Sequence, residues 1–142
     1  MELHGQPLGL SQIAAVALGS ESIRISPSVH PRIHASRAVI DQIVAADVVA
    51  YGVTTGFGKL SDVRIPRADL RDLQLNLVRS HACGIGSPLP EAEVRAMMLL
   101  RANVLTLGFS GIRLEVIELL CEMLNRRVHP VIPEKGSVGG DR

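Results

Sequence analysis

The run "EAEVRAMMLLRANVLTLG", residues 91–108, decides the fold class. Ser87, Pro88 and Pro90 stand just before it. Glu91 and Glu93 fall in its first turn, where the helix macrodipole favours acid. Gly108 ends it. The stretch predicts a helix, with Asn103 buried in its middle, where the amide must find partners. Downstream, "SGIRLEVIELLCEMLNRRVHP" (110–130) is a second amphipathic helix. Ile112, Val116, Leu119, Leu120 and Met123 are expected on its buried side. Arg126, Arg127 and His129 cluster at its C-terminal end, and Pro130 stops it. The two helices meet in a tight elbow, "LTLGFSGIR".

Working upstream gives the same class. "RADLRDLQLNLVRSHACG" (67–84) places Leu70, Leu73, Leu77 and Val78 at helical spacing and runs into a loop, "GIGSPLP". A short helix is expected from Ser11 to near Gly19, and "SIRIS" (22–26) alternates like a brief strand. Pro27 and Pro31 introduce another helix, from about Pro31 or Ile33, with Ile33, Val39, Ile40, Ile43, Val44 and Val48 as its apolar residues. The terminal "VIPEKGSVGGDR" has no evident partner. The expectation is a mainly α domain of four or five helices with a few short strands, within the length of one ordinary domain, 142 residues.

Composition narrows the function. Lys and Arg total 15 against 14 Asp and Glu, so no basic face for nucleic acid or a membrane surface is expected. No apolar run is long enough to span a bilayer, and no basic segment precedes the apolar part of the N-terminus, so a cytoplasmic protein is expected. Aromatic residues make up 2% of the chain (Tyr51, Phe57 and Phe109), which leaves an aliphatic core. Cys83 and Cys121 lack metal-ligand spacing and are expected to be reduced, packed thiols. No metal site is expected. His4, His30, His34 and His129 are scattered and fit surface or capping roles.

Two short stretches carry chemistry. "YGVTTGFGKL" (51–60) follows a helix and holds the single tyrosine in a glycine-rich loop. Its glycines fit neither a Walker loop nor a dinucleotide fingerprint. The local pattern suits a helix C-cap followed by a glycine turn. It equally suits a loop that brings a phenol and exposed backbone to a ligand. "SHACGIG" (80–86) sets His81 at a helix end, either as a cap or facing a pocket.

Taken together, "AYGVTTGFGKL", "LQLNLVRSHACGIGSPL", "LTLGFSGIR" and "PVIPEKGSVG" resemble, in order and spacing, the N-terminal segment of the histidine ammonia-lyases in the aromatic amino-acid lyase family. The resemblance runs from about Leu10 to Gly139. It implies the helical N-terminal domain of an aspartase/ammonia-lyase-like fold, with residues 1–142 ending before a central helical bundle. It implies conversion of L-histidine to urocanate and ammonia without an added cofactor, in a homotetramer. It also implies that Tyr51 takes the substrate β-proton, that Gly58 lines the substrate site, and that Ser80 and His81 report the substrate ring.

The family's electrophile is a methylidene-imidazolone formed from an Ala-Ser-Gly tripeptide in the chain. Here the expected position reads Gly139-Gly140-Asp141-Arg142, and no Ala-Ser-Gly occurs in the 142 residues. Ser137 belongs to the flanking motif and is no substitute. The chain is therefore expected to be an N-terminal fragment, inactive alone. The alternatives are a stand-alone, non-catalytic binding protein derived from a lyase, or a lyase or aminomutase acting on another aromatic amino acid.

Overall fold

The computed structural model describes residues 1–56 and 65–136. The chain forms two compact units, Met1–Ala38 with Pro88–Ile132, and Val39–Ser87 with Pro133–Arg142.

The first unit is built on three helices. They are α1 (Leu10–Ala17) and the two helices read from the sequence, α4 (Glu91–Leu105) and α5 (Leu114–Asn125). Strands β1 (Glu2–Leu3) and β2 (Arg24–Ile25) pair in parallel, with Leu3 opposite Ile25. A single-turn 3-10 helix, Pro27–Val29, leads into α2 (His30–Ala45), whose residues to Ala38 belong to this unit. Leu3, Val16, Ile33, Val94, Leu99, Ile117 and Leu124 form the centre of an aliphatic core. Burial of such side chains is worth about 1.5–3 kcal/mol each, which makes the core the main source of this unit's stability.

Buried polar groups in this unit serve as struts. Arg95 is 2% exposed, and its guanidinium donates to the Val16, Ala17 and Leu124 carbonyls. It thus caps the C-terminal ends of α1 and α5 at once. Asn103 is buried as expected. Its Oδ1 accepts the Gly5 N–H at 3.1 Å, and its Nδ2 donates to the Gln6 carbonyl at 2.8 Å. At the elbow after α4, Gly108 has φ 77°, and a Cβ there would stand 2.8 Å from the Arg32 carbonyl oxygen. Any other residue would meet both strain and a clash.

The buried face of α5 differs from the expected one. Ile117, Cys121 and Leu124 point inward, whereas Leu119 is 56% exposed. Ile112, Val116, Leu120 and Met123 are only half-buried. The i, i+4, i+7 line through Ile117 is flanked by apolar residues on both sides, so the pattern alone left the centre of the face undetermined.

The second unit holds the rest of α2, then α3 (Leu70–His81), β3 (Ile85–Pro88) and β4 (Pro133–Lys135). A 3-10 turn, Arg67–Asp69, leads into α3. Leu70, Leu73 and Leu77 form a half-buried stripe, but Val78 lies beside it and is exposed. In α2, Ile40, Ile43 and Val44 are half-buried, while Val39 and Val48 are exposed. The stretch taken as a loop after α3 is instead the strand β3, and it pairs with β4. "VIPEKG" therefore has a partner after all. Their separation in sequence hid the pairing, because a two-stranded ladder this short leaves no periodic signature. Cys83 is exposed rather than packed, since it follows a helix with no buried residue, whereas Cys121 is buried as expected.

Among the described residues no helix is long and apolar enough to cross a membrane, and no group of three His, Cys, Asp or Glu side chains is placed to hold a metal ion.

Candidate active site

The approach to Tyr51 is fixed by backbone geometry. Helix α2 closes with a left-handed residue, Asp47 at φ 55°. The Val48 N–H reaches back to the Ile43 carbonyl at 3.1 Å, the six-to-one bond of a Schellman cap. The helix cap and the tyrosine turn are thus separate features. The turn itself spans residues 51–54, with the Val53 and Thr54 N–H groups both donating to the Ala50 carbonyl. Gly52 takes φ 72° at its tip, a conformation that a side chain would strain.

Two threonines anchor this turn. Thr54 and Thr55 are 3% and 1% exposed, whereas Tyr51 is 57% exposed. Thr54 Oγ1 donates to the Val48 carbonyl at 2.7 Å and accepts the Ala50 N–H at 2.9 Å. Thr55 Oγ1 accepts the Gly52 N–H at 3.4 Å and donates to the Gly56 carbonyl. The phenol therefore projects from a turn whose base is buried and hydrogen-bonded. The sequence showed the Thr-Thr pair only as part of a glycine-rich loop. Its anchoring role depends on carbonyls up to six residues away.

Ser80 and His81 occupy the last turn of α3, in the same compact unit as Tyr51. Ser80 Oγ lies 3.0 Å from His81 Nδ1 and donates to the Leu77 carbonyl at 2.9 Å. His81 Nδ1 is also 2.9 Å from that carbonyl. Both side chains are exposed. The structure thus joins Ser80 to His81 directly, and it shows no direct bond from either to Tyr51 among the described residues. Gly58 and the "GSVG" run beyond Gly136 lie outside the described residues.

The clefts of the first unit are lined by other residues. One, of about 410 Å³, is bordered by Ile23, His30, Glu118, Cys121, Asn125 and Arg126, among others. Burial, reinforced by the nearby Glu118 carboxylate, pushes the Cys121 thiol up to about 11, so it is not a nucleophile at neutral pH. At the rim of the same unit the Arg24 guanidinium, bonded to Glu2, holds that carboxyl below the usual range.

Residues 8–141 match the model of the aromatic amino acid lyase family. The chain belongs to that family. It is 53% identical to the histidine ammonia-lyase of Myxococcus xanthus over 96% of this chain and 27% of that protein. The crystal structure of histidine ammonia-lyase from Trypanosoma cruzi superposes with a TM-score of 0.85 at 44% identity, covering 96% of this chain and 27% of the other. Ergothionase from Treponema denticola superposes with a TM-score of 0.91 at 30% identity, covering 97% of this chain and 28% of the other. The chain spans about 27% of the length of the curated relatives it matches.

Proposed function

We propose that residues 1–142 are the N-terminal domain of a histidine ammonia-lyase and carry the proton-transfer and ring-recognition half of its site. In this reading the reaction removes ammonia from L-histidine to give urocanate in the cytoplasm. Tyr51 is the base for the β-proton, Gly58 lines the substrate site, and Ser80 and His81 meet the imidazole. The observation that carries the reading is the 53% identity over 96% of the chain to a protein named for that activity. The solved histidine ammonia-lyase, at 44% identity, supports this substrate over that of the ergothionase, at 30%.

The family is the methylidene-imidazolone class of lyases. The 142 residues contain no Ala-Ser-Gly from which such a ring forms, so the residues present do not fit that group. No step is derived through it. What these residues supply is a base positioned on an anchored turn and a hydrogen-bonding imidazole.

Assembly belongs to the same reading. Met97, Leu100, Val104 and Leu119 leave exposed apolar surface on α4 and α5. Such surface suits packing against further helices or subunits, as in a homotetramer.

The test is a chimera in which the matching part of the Myxococcus xanthus protein is replaced by these residues. A folded chimera that forms urocanate from L-histidine supports the reading, and one that forms none overturns it. The intact mass of the native product decides between this reading and a stand-alone binding protein. A mass several-fold above 15.2 kDa places the segment in a longer enzyme, and 15.2 kDa favours the binding protein.

A further inference from the structure

We infer that the Leu77 carbonyl and the Ser80 hydroxyl hold neutral His81 as its Nδ1–H tautomer, so that bare Nε2 accepts a hydrogen bond from a ring N–H of the substrate. The inference rests on the functional reading above for the identity of the substrate, and on the geometry of α3 for the tautomer.

The argument turns on what each atom can do. His81 Nδ1 lies 2.9 Å from the Leu77 carbonyl oxygen. A carbonyl only accepts, so the ring nitrogen facing it must carry the hydrogen. The opposite tautomer would set a nitrogen lone pair against carbonyl lone pairs at hydrogen-bond distance. Ser80 Oγ does not reverse this. Its hydrogen is directed at the same carbonyl, 2.9 Å away, which leaves an oxygen lone pair facing Nδ1 at 3.0 Å. Nδ1–H therefore meets two acceptors and no donor.

Proton placement on one nitrogen fixes the other. In the neutral ring Nε2 is an acceptor, and it makes no hydrogen bond among the described residues. His81 is exposed, so this lone pair is open to a ligand. Its complement is an azole N–H. A phenyl ring has none, and a phenol presents its hydroxyl farther from the ring centre. Beside its place at the substrate ring, Ser80 holds the imidazole rotamer through its contact with Nδ1. A site built to pair with a ring N–H rejects an analogue lacking it, since a polar group is then left unmatched.

Two measurements test this. The first is long-range ¹H–¹⁵N correlation on the whole chain at alkaline pH, with His81 assigned by His81→Gln. Protonated Nδ1 and bare Nε2 are expected, and a dominant Nε2–H form overturns the tautomer. The second uses the chimera with L-histidine and β-(thiazol-4-yl)alanine, a near-isostere with no ring N–H. The chimera should favour L-histidine by about tenfold in KM, the scale of one hydrogen bond. That preference should collapse toward parity in His81→Leu. Ser80→Ala should raise KM for L-histidine several-fold with kcat little changed, and Ser80→Thr should restore it. A preference that survives His81→Leu overturns the N–H role. No urocanate from a folded chimera overturns the functional reading and the N–H role with it, and the tautomer is still decided by the resonance.

Discussion

Thr54 Oγ1 donates to the Val48 carbonyl at 2.7 Å, tying the base of the tyrosine turn to the cap of α2. The same oxygen accepts the Ala50 N–H at 2.9 Å. Thr54→Val keeps the shape and removes both part-buried bonds, a cost of about 0.5–1.5 kcal/mol each. In the chimera kcat should fall about tenfold while KM for L-histidine moves little, because the displaced group is the phenol rather than the ring contact. Thr54→Ser retains the hydroxyl and should recover most of the rate. Equal losses in the two variants would show that methyl packing, not the hydroxyl, holds the turn.

Tyr51→Phe separates chemistry from folding. Tyr51 is 57% exposed, so loss of its hydroxyl should change stability by no more than about 0.5 kcal/mol. Removal of a general base costs roughly 10²–10⁴ in rate. The expected outcome is an unfolding midpoint close to that of the parent chimera with urocanate formation reduced at least about a hundredfold. Near-normal turnover would remove Tyr51 from the base role.

The helices were legible because each carried its own local signals. Glu91 and Glu93 after Pro90 announced the start of α4, and the apolar spacing of residues 114–125 announced α5. Asn103 was legible as a buried amide in mid-helix, but its partners Gly5 and Gln6 lie almost a hundred residues away and left no trace in the local pattern. The pairing of β3 with β4 was hidden for the same reason. At the site, Tyr51, Ser80 and His81 stood out by residue type and motif. The anchoring by Thr54 and the tautomer lock by Leu77 depend on backbone carbonyls, which every residue possesses and no sequence distinguishes.

Nothing in the local pattern of α4 singles out Arg95, yet its buried side chain braces two helix ends of the first unit. Its three donated bonds reach Val16, Ala17 and Leu124. Arg95→Met preserves the apolar stem and removes three charge-assisted bonds at two helix ends; the Val16 and Leu124 carbonyls keep the Gly19 and Arg127 N–H groups, and the Ala17 carbonyl loses its guanidinium donor. The chain should lose about 3 kcal/mol or more in urea unfolding. Arg95→Lys should recover less than half, because an ammonium lacks the planar fork that spans both helix ends. A loss under about 1 kcal/mol would mean that water replaces the guanidinium at those carbonyls.

The two thiols should behave as opposites. Cys83 is exposed and Cys121 is buried, its thiol held up to about 11 from 9.0 by burial and by Glu118. An aromatic disulfide reagent near pH 8 should label one thiol quickly, and Cys83→Ser should abolish that phase. Cys121 should react only when the chain unfolds. The linkage has a definite sign. Above pH 9 the unfolded thiol loses its proton while the folded one keeps it, so stability falls with rising pH until about 11, where both are ionised. Cys121→Ala removes this contribution, and its unfolding free energy should decline less steeply across that window than that of the parent chain. Parallel pH profiles would show that Cys121 ionises in the folded chain as easily as in the unfolded one, which its burial against Ile117 and Leu124 in the core argues against.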